Sequence, residues 1–200
     1  MTRCPLPFDE AAAADISASF SDLPQPLKAL LSGTAGSSPY LRGLIQAEGD
    51  WLRAAMAAPL EDLLPALRAD IAAADPLTPG NALRQAKGRL ALLAALADLG
   101  GAWDVPEVTQ ALSDFADLAV QTALQAALLP LLRRGKVPGK AEADAKTGAG
   151  MVVLAMGKMG AGELNYSSDI DLICLFDETQ FAPSDVMDAR AAFIKATRAM

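Results

Sequence analysis

Apolar residues recur at helical spacing along most of the chain as far as Leu132, then give way to two short unbroken runs near its end. Leu41, Leu44, Ile45, Leu52 and Met56 form one stripe and predict an amphipathic helix over 40–58, in which Trp51 reads as a core residue. A short helix is expected in the alanine-rich stretch before Pro26 and another over 60–74, punctuated by Pro65, while 33–39, rich in Gly, Ser and Thr, reads as a loop. Thr78 and Pro79 read as the N-cap and first-turn proline of a helix that continues through Leu83, Leu90, Leu93 and Leu96 to a stop at Gly100 and Gly101. Asp104 and Glu107 have the spacing of a capping box and open a helix to about Leu132, whose wide apolar stripe predicts that it is largely buried.

The segment 133–150 is polar and glycine-containing and is expected to be a mobile loop. Beyond it, 151–156 and 170–176 read as two buried strands separated by Gly157, Gly160 and Gly162, which mark a turn with room for one short helix. A turn over 177–183 and a helix capped by Ser184 follow. The expected class is α+β, with a helical segment over 1–146 and a strand-bearing segment over 147–200. Two strands with open edges do not make a stable core, so the chain is expected to be a piece of a longer protein.

Charge and composition narrow the chemistry. The net charge of −7 leaves no basic footprint for nucleic acid, and the absence of histidine removes Ser-His-Asp, Cys-His and His-zinc sites. Cys4 and Cys174 read as incidental reduced thiols. Acidic residues near the start and Asp98 within 90–99 speak against a secretory signal and a membrane span, so a cytoplasmic protein without membrane contact is expected.

What remains is an acidic pair. Asp169 and Asp171 stand at i and i+2 at the head of the second predicted strand, on one face and roughly 6 to 7 Å apart at the backbone. Like charges so placed are relieved by a divalent cation, and hard carboxylate oxygens suit Mg²⁺. The turn containing Gly157 and Gly160 would let backbone N–H groups approach a phosphate, with Lys158 adding a point charge and Ser168 close by. An isolated Asp-x-Asp is usually a solvated strand end; its combination here with a Gly-Lys-x-Gly turn and an apolar strand points to a site. Neither the G-x-G-x-x-G dinucleotide fingerprint nor the G-x-x-x-x-G-K-[ST] phosphate loop occurs.

The run Gly157-Lys158, ten residues, then Asp169-Ile170-Asp171 resembles the signature of the polymerase-beta-type nucleotidyltransferases, with Lys158 where that superfamily usually has Ser. More narrowly, GKMGAGELNYSSDIDLICLF resembles the bifunctional glutamine synthetase adenylyltransferase/adenylyl-removing enzymes, and 83–129 resembles the helices that precede their first catalytic core. The resemblance implies the start of a nucleotidyltransferase-type mixed sheet and the adenylyl-removing half of such an enzyme. In that half, phosphate attacks the adenylyl group on a tyrosine of glutamine synthetase, releasing ADP and the unmodified tyrosine. Asp169 and Asp171 would be the Mg²⁺ ligands, with a third acid contributed by a further strand, and Gly157, Lys158, Gly160 and Ser168 would serve nucleotide and phosphate. Adenylyl transfer from ATP would belong to a second domain, with the PII signal protein as regulator. Two alternatives stay open: a PII uridylyltransferase-like enzyme, which ELNYSSDIDL fits less well, and an inert binding fragment. Arg84, Lys87 and Arg89 form a basic turn that reads as a solvated face, the alternative being a phosphate or acidic-partner contact.

Overall fold

The computed structural model describes residues 3–200, which are mainly helical with one two-stranded antiparallel sheet. They divide into two compact units, one formed by residues up to Ala72 with Arg84–Leu112, the other by Ala73–Leu83 with Ser113–Met200. The α+β class therefore stands.

In the first unit, α1 (Glu10–Ser19) is capped by Asp9, whose Oδ1 accepts the Ala12 N–H at 3.0 Å. That hydrogen bond, aided by Arg42, holds the Asp9 carboxyl below its usual range. The expected loop at 33–39 is instead the second half of α2 (Gln25–Ser37). Gly33 and Gly36 admit the backbone of the segment 5–9: Asp9 N–H reaches the Gly36 carbonyl at 2.8 Å, and the Ser37 hydroxyl donates to the Leu6 carbonyl at 2.9 Å. A Cβ on Gly33 would run into the Pro5 carbonyl. Gly33→Ala is accordingly expected to lower stability by about 1–3 kcal/mol in urea denaturation, despite alanine's better helix propensity; an unchanged or higher midpoint would show that the segment does not pack there.

The single helix expected over 40–58 is two, α3 (Pro39–Ala47) and α4 (Gly49–Ala57), separated at Glu48, whose backbone leaves helical geometry at φ −107° and ψ 24°. Next come α5 (Leu60–Ala72), which runs through Pro65, and α6 (Gly80–Leu99). Thr78 is not the cap of α6: its hydroxyl donates to Asp75 Oδ2 at 3.0 Å, in a turn where Asp75 Oδ1 also accepts the Leu77 N–H. Ile16, Leu31, Ile45, Leu52 and Leu92 form the core of this unit, with Trp51 packed at its margin as expected. Arg89 is no solvated cation. Its Nε donates to Glu48 Oε2 at 2.8 Å and its Nη1 to Asp70 Oδ2 at 3.3 Å, with the guanidinium 5.3 Å from the Trp51 ring centroid.

The capping box opens α7 (Val105–Arg133) as expected: Asp104 N–H donates to Glu107 Oε2 at 2.7 Å, and Glu107 N–H to Asp104 Oδ1 at 3.0 Å. The helix is less buried than its stripe suggested, with only 28% of its most apolar window inside the structure. By length and composition it is also long and apolar enough to cross a membrane, a candidate the sequence reading missed; core helices pass the same test, and Leu124, Leu128, Leu131 and Leu132 of α7 lie in the core of the second unit.

In that unit the expected mobile loop is ordered. Val137 and Ala145 are buried, a 3-10 turn spans Glu142–Gly150, and Gln121 Nε2 donates to the Lys146 carbonyl at 3.0 Å. The strands β1 (Met151–Ala155) and β2 (Leu172–Phe176) pair antiparallel, Met151 opposite Phe176 and Ala155 opposite Leu172. Between them lies the single-turn α8 (Gly157–Gly160). The strands are not buried on both faces. Met151, Val153, Cys174 and Phe176 face the core with Phe181 and with Phe193 of α9 (Val186–Ala199), whereas Val152, Leu154, Ile173 and Leu175 are 43–54% exposed. Helix α9 starts past the expected Ser184 cap, whose hydroxyl donates to Asp185 Oδ1 at 3.1 Å.

Candidate functional site

The second strand begins at Leu172, so Asp169 and Asp171 precede it rather than belong to it. The ladder nevertheless reaches one residue further, because Met156 N–H donates to the Asp171 carbonyl at 2.9 Å. This bond sets Asp171 beside the entrance to the glycine turn. Strand alternation then puts Asp171 on the exposed face with Ile173 and Leu175, and Asp169 one period further out along the chain.

Both aspartates are exposed, and among the described residues neither carboxylate has a hydrogen-bond or ion-pair partner. Two other acids of this unit are committed: Asp144 accepts the Ala141 N–H at 2.7 Å, and Asp177, past the opposite end of β2, accepts the Thr179 hydroxyl at 2.6 Å. The Thr179 hydroxyl, with Gln180, holds the Asp177 carboxyl below its usual range. Two uncommitted carboxylates are a donor set of the kind Mg²⁺ takes, which needs one or two protein oxygens and completes its shell with water and phosphate. Among the described residues no group of three His, Cys, Asp or Glu side chains gathers anywhere.

Gly157 carries φ +57°, a conformation glycine adopts freely, and opens onto empty space. The N–H groups of Gly157, Lys158 and Met159 make no backbone hydrogen bond among the described residues, while those of Gly160, Ala161 and Gly162 turn back to Met156, Gly157 and Met159. Gly160 has a structural reason of its own: a Cβ there would strike the Ala155 carbonyl, so glycine lets α8 fold against β1. Lys158 is exposed. Ser168 is turned into its own loop, its hydroxyl donating to Asn165 Oδ1 at 2.6 Å. A cavity of about 520 Å³ in this unit is lined by Asp117, Gln121, Leu124 and Val153 and extends to Ala155, Met159 of α8 and Leu172, next to Asp171.

The sequence pattern did not single out Ser113 of α7. It is buried, and its Oγ accepts the Leu164 N–H at 3.1 Å, tying the loop after the glycine turn to a helix 51 residues earlier. A serine beside an apolar stripe carries no periodic signal that would announce this.

The glutamate-ammonia ligase adenylyltransferase family matches residues 29–199. The chain belongs to that family. Among its relatives are adenylyltransferases described as bifunctional glutamine synthetase adenylyltransferase/adenylyl-removing enzymes. That of Bradyrhizobium diazoefficiens is 43% identical over 177 residues, covering 86% of this chain and 18% of the relative. That of a Bradyrhizobium species is 41% identical over 178 residues, with the same coverage of 86% and 18%. In Rhodopseudomonas palustris the identity is 41% over 196 residues, 94% of this chain and 19% of the relative. The chain thus spans less than a fifth of the length of these adenylyltransferases. No solved structure matches it.

Proposed function

We propose that this chain supplies part of the adenylyl-removing half of an enzyme that controls glutamine synthetase by reversible adenylylation. The observation that carries the reading is the pair of uncommitted carboxylates, Asp169 and Asp171, beside a glycine turn with free N–H groups, in a member of the adenylyltransferase family. Asp169 and Asp171 would hold Mg²⁺, which when bound would supply charge neutralisation at the phosphoryl oxygens. The N–H groups of Gly157 and Lys158, which make no backbone hydrogen bond among the described residues, would serve phosphate oxygens of the adenylyl group or of inorganic phosphate. Lys158 adds positive charge without a fixed partner, and Gly160 keeps the turn close to β1. Ser168 orders the loop before the carboxylates through Asn165. Phosphate, ADP and an adenylyl-tyrosine of glutamine synthetase are the small-molecule and protein substrates on this reading. ATP-dependent transfer would lie in a second catalytic domain, the PII signal protein would be the regulator, and the cytoplasm would be the compartment.

The test is a chimera in which this chain replaces the matching segment of the Bradyrhizobium diazoefficiens relative. Incubated with adenylylated glutamine synthetase, phosphate and Mg²⁺, the chimera is expected to release ADP. Transfer of AMP from ATP to glutamine synthetase with release of pyrophosphate, and no removal of adenylyl groups, would assign the segment to another role.

A further inference from the structure

We infer that Ser113 is a positioning residue that fixes the carboxylate-bearing loop for cation binding, an inference that rests on the reading of Asp169 and Asp171 as cation ligands. The stretch from Gly162 to Asp171 has no helix or strand. Among its backbone hydrogen bonds are two of short range, Glu163 N–H to the Lys158 carbonyl at 2.8 Å and Ser168 N–H to the Asn165 carbonyl at 3.3 Å. Such bonds shape the loop without placing it in space. The Leu164 N–H does place it, because its acceptor is a hydroxyl held on a turn of α7 that is 3% exposed. Leu164 is itself only 7% exposed, so a buried residue and its hydrogen bond pin the loop five residues before Asp169. The far end is pinned by the Met156–Asp171 ladder bond. With both ends held, the two carboxylates span a short tether, and the entropy of bringing them to one cation is met in the fold rather than on binding. Removing the Ser113 acceptor leaves a buried N–H without a partner, a cost the loop escapes by opening to water.

The experiment compares wild type, Ser113→Ala and Ser113→Thr in the 200-residue chain. Mn²⁺ affinity is read by electron paramagnetic resonance, and amide exchange over 162–171 is followed by mass spectrometry. Ser113→Ala is expected to weaken Mn²⁺ binding about tenfold and to speed exchange at Leu164 and its neighbours, while Ser113→Thr, which keeps the hydroxyl, recovers most of both. Should Ser113→Ala not fold, Ser113→Cys preserves the volume with a weaker acceptor and is expected to move both readouts the same way. Equal Mn²⁺ affinity and unchanged loop exchange in a folded Ala or Cys variant would overturn the role of Ser113 while leaving the carboxylate reading intact. Absence of Mn²⁺ uptake by the wild-type chain would remove the carboxylate reading itself, and the positioning role with it.

Discussion

Asp171→Asn in the chimeric enzyme is expected to reduce adenylyl removal by at least about a thousandfold, because the electrostatic help of a bound cation to phosphoryl chemistry is worth several kcal/mol. The substitution is nearly isosteric and removes one unit of charge. Asp171 is exposed and its side chain has no partner among the described residues, so the fold has little to lose. Its structural contribution comes from the carbonyl that accepts the Met156 N–H, and asparagine keeps that carbonyl. Stability and secondary structure should therefore match wild type while turnover disappears. Steady-state ADP release together with a thermal melt checks both halves, and a melt that falls alongside activity would point to a structural role instead.

The largest effect expected on stability comes from Arg89→Met. The Arg89 and Glu48 side chains are only 18% and 15% exposed and meet at 2.8 Å, so deleting the guanidinium strands a carboxylate where water reaches it poorly. Loss of one partner from a well-buried pair costs about 3–5 kcal/mol, and the residual exposure here lowers the expectation to about 2–3 kcal/mol in urea denaturation. Methionine keeps much of the aliphatic stem against Trp51, so the measured loss reports charge more than packing. The contrast is Asp70→Asn. Asp70 is 61% exposed and lies 3.3 Å from the same guanidinium, so its removal should cost less than about 1 kcal/mol. Adding Glu48→Gln to Arg89→Met is expected to recover part of the loss, since the stranded charge is then gone.

What the sequence made legible was local. The box of Asp104 and Glu107 closes within four residues, and both its hydrogen bonds formed where its spacing put them. The glycine turn and both strands are present because runs such as 151–155 and 172–176 are apolar and bounded by punctuation. The misses came from contacts distant along the chain. Gly33 and Gly36 looked like loop residues; a passing backbone 27 or more residues earlier makes them helix residues instead. Val137 sits in polar surroundings along the chain but is buried at 1% exposure in the fold. Arg89 read as one of three surface cations until Glu48 and Asp70 came to it. The strands looked buried on both sides because apolar residues occupy both faces; which face is covered depends on α7 and α9, not on the strands. At the candidate site the acidic pair was visible as spacing, whereas the hydroxyl of Ser113 that anchors its loop was not.

The central claim, that Asp169 and Asp171 together hold a divalent cation, is tested most directly by Mn²⁺ titration of the wild-type chain beside Asp169→Asn and Asp171→Asn. Saturable binding of one ion or a pair, displaced by Mg²⁺ and lost in either variant, is the predicted result. Binding that survives both substitutions, or no binding by the wild type, would contradict it.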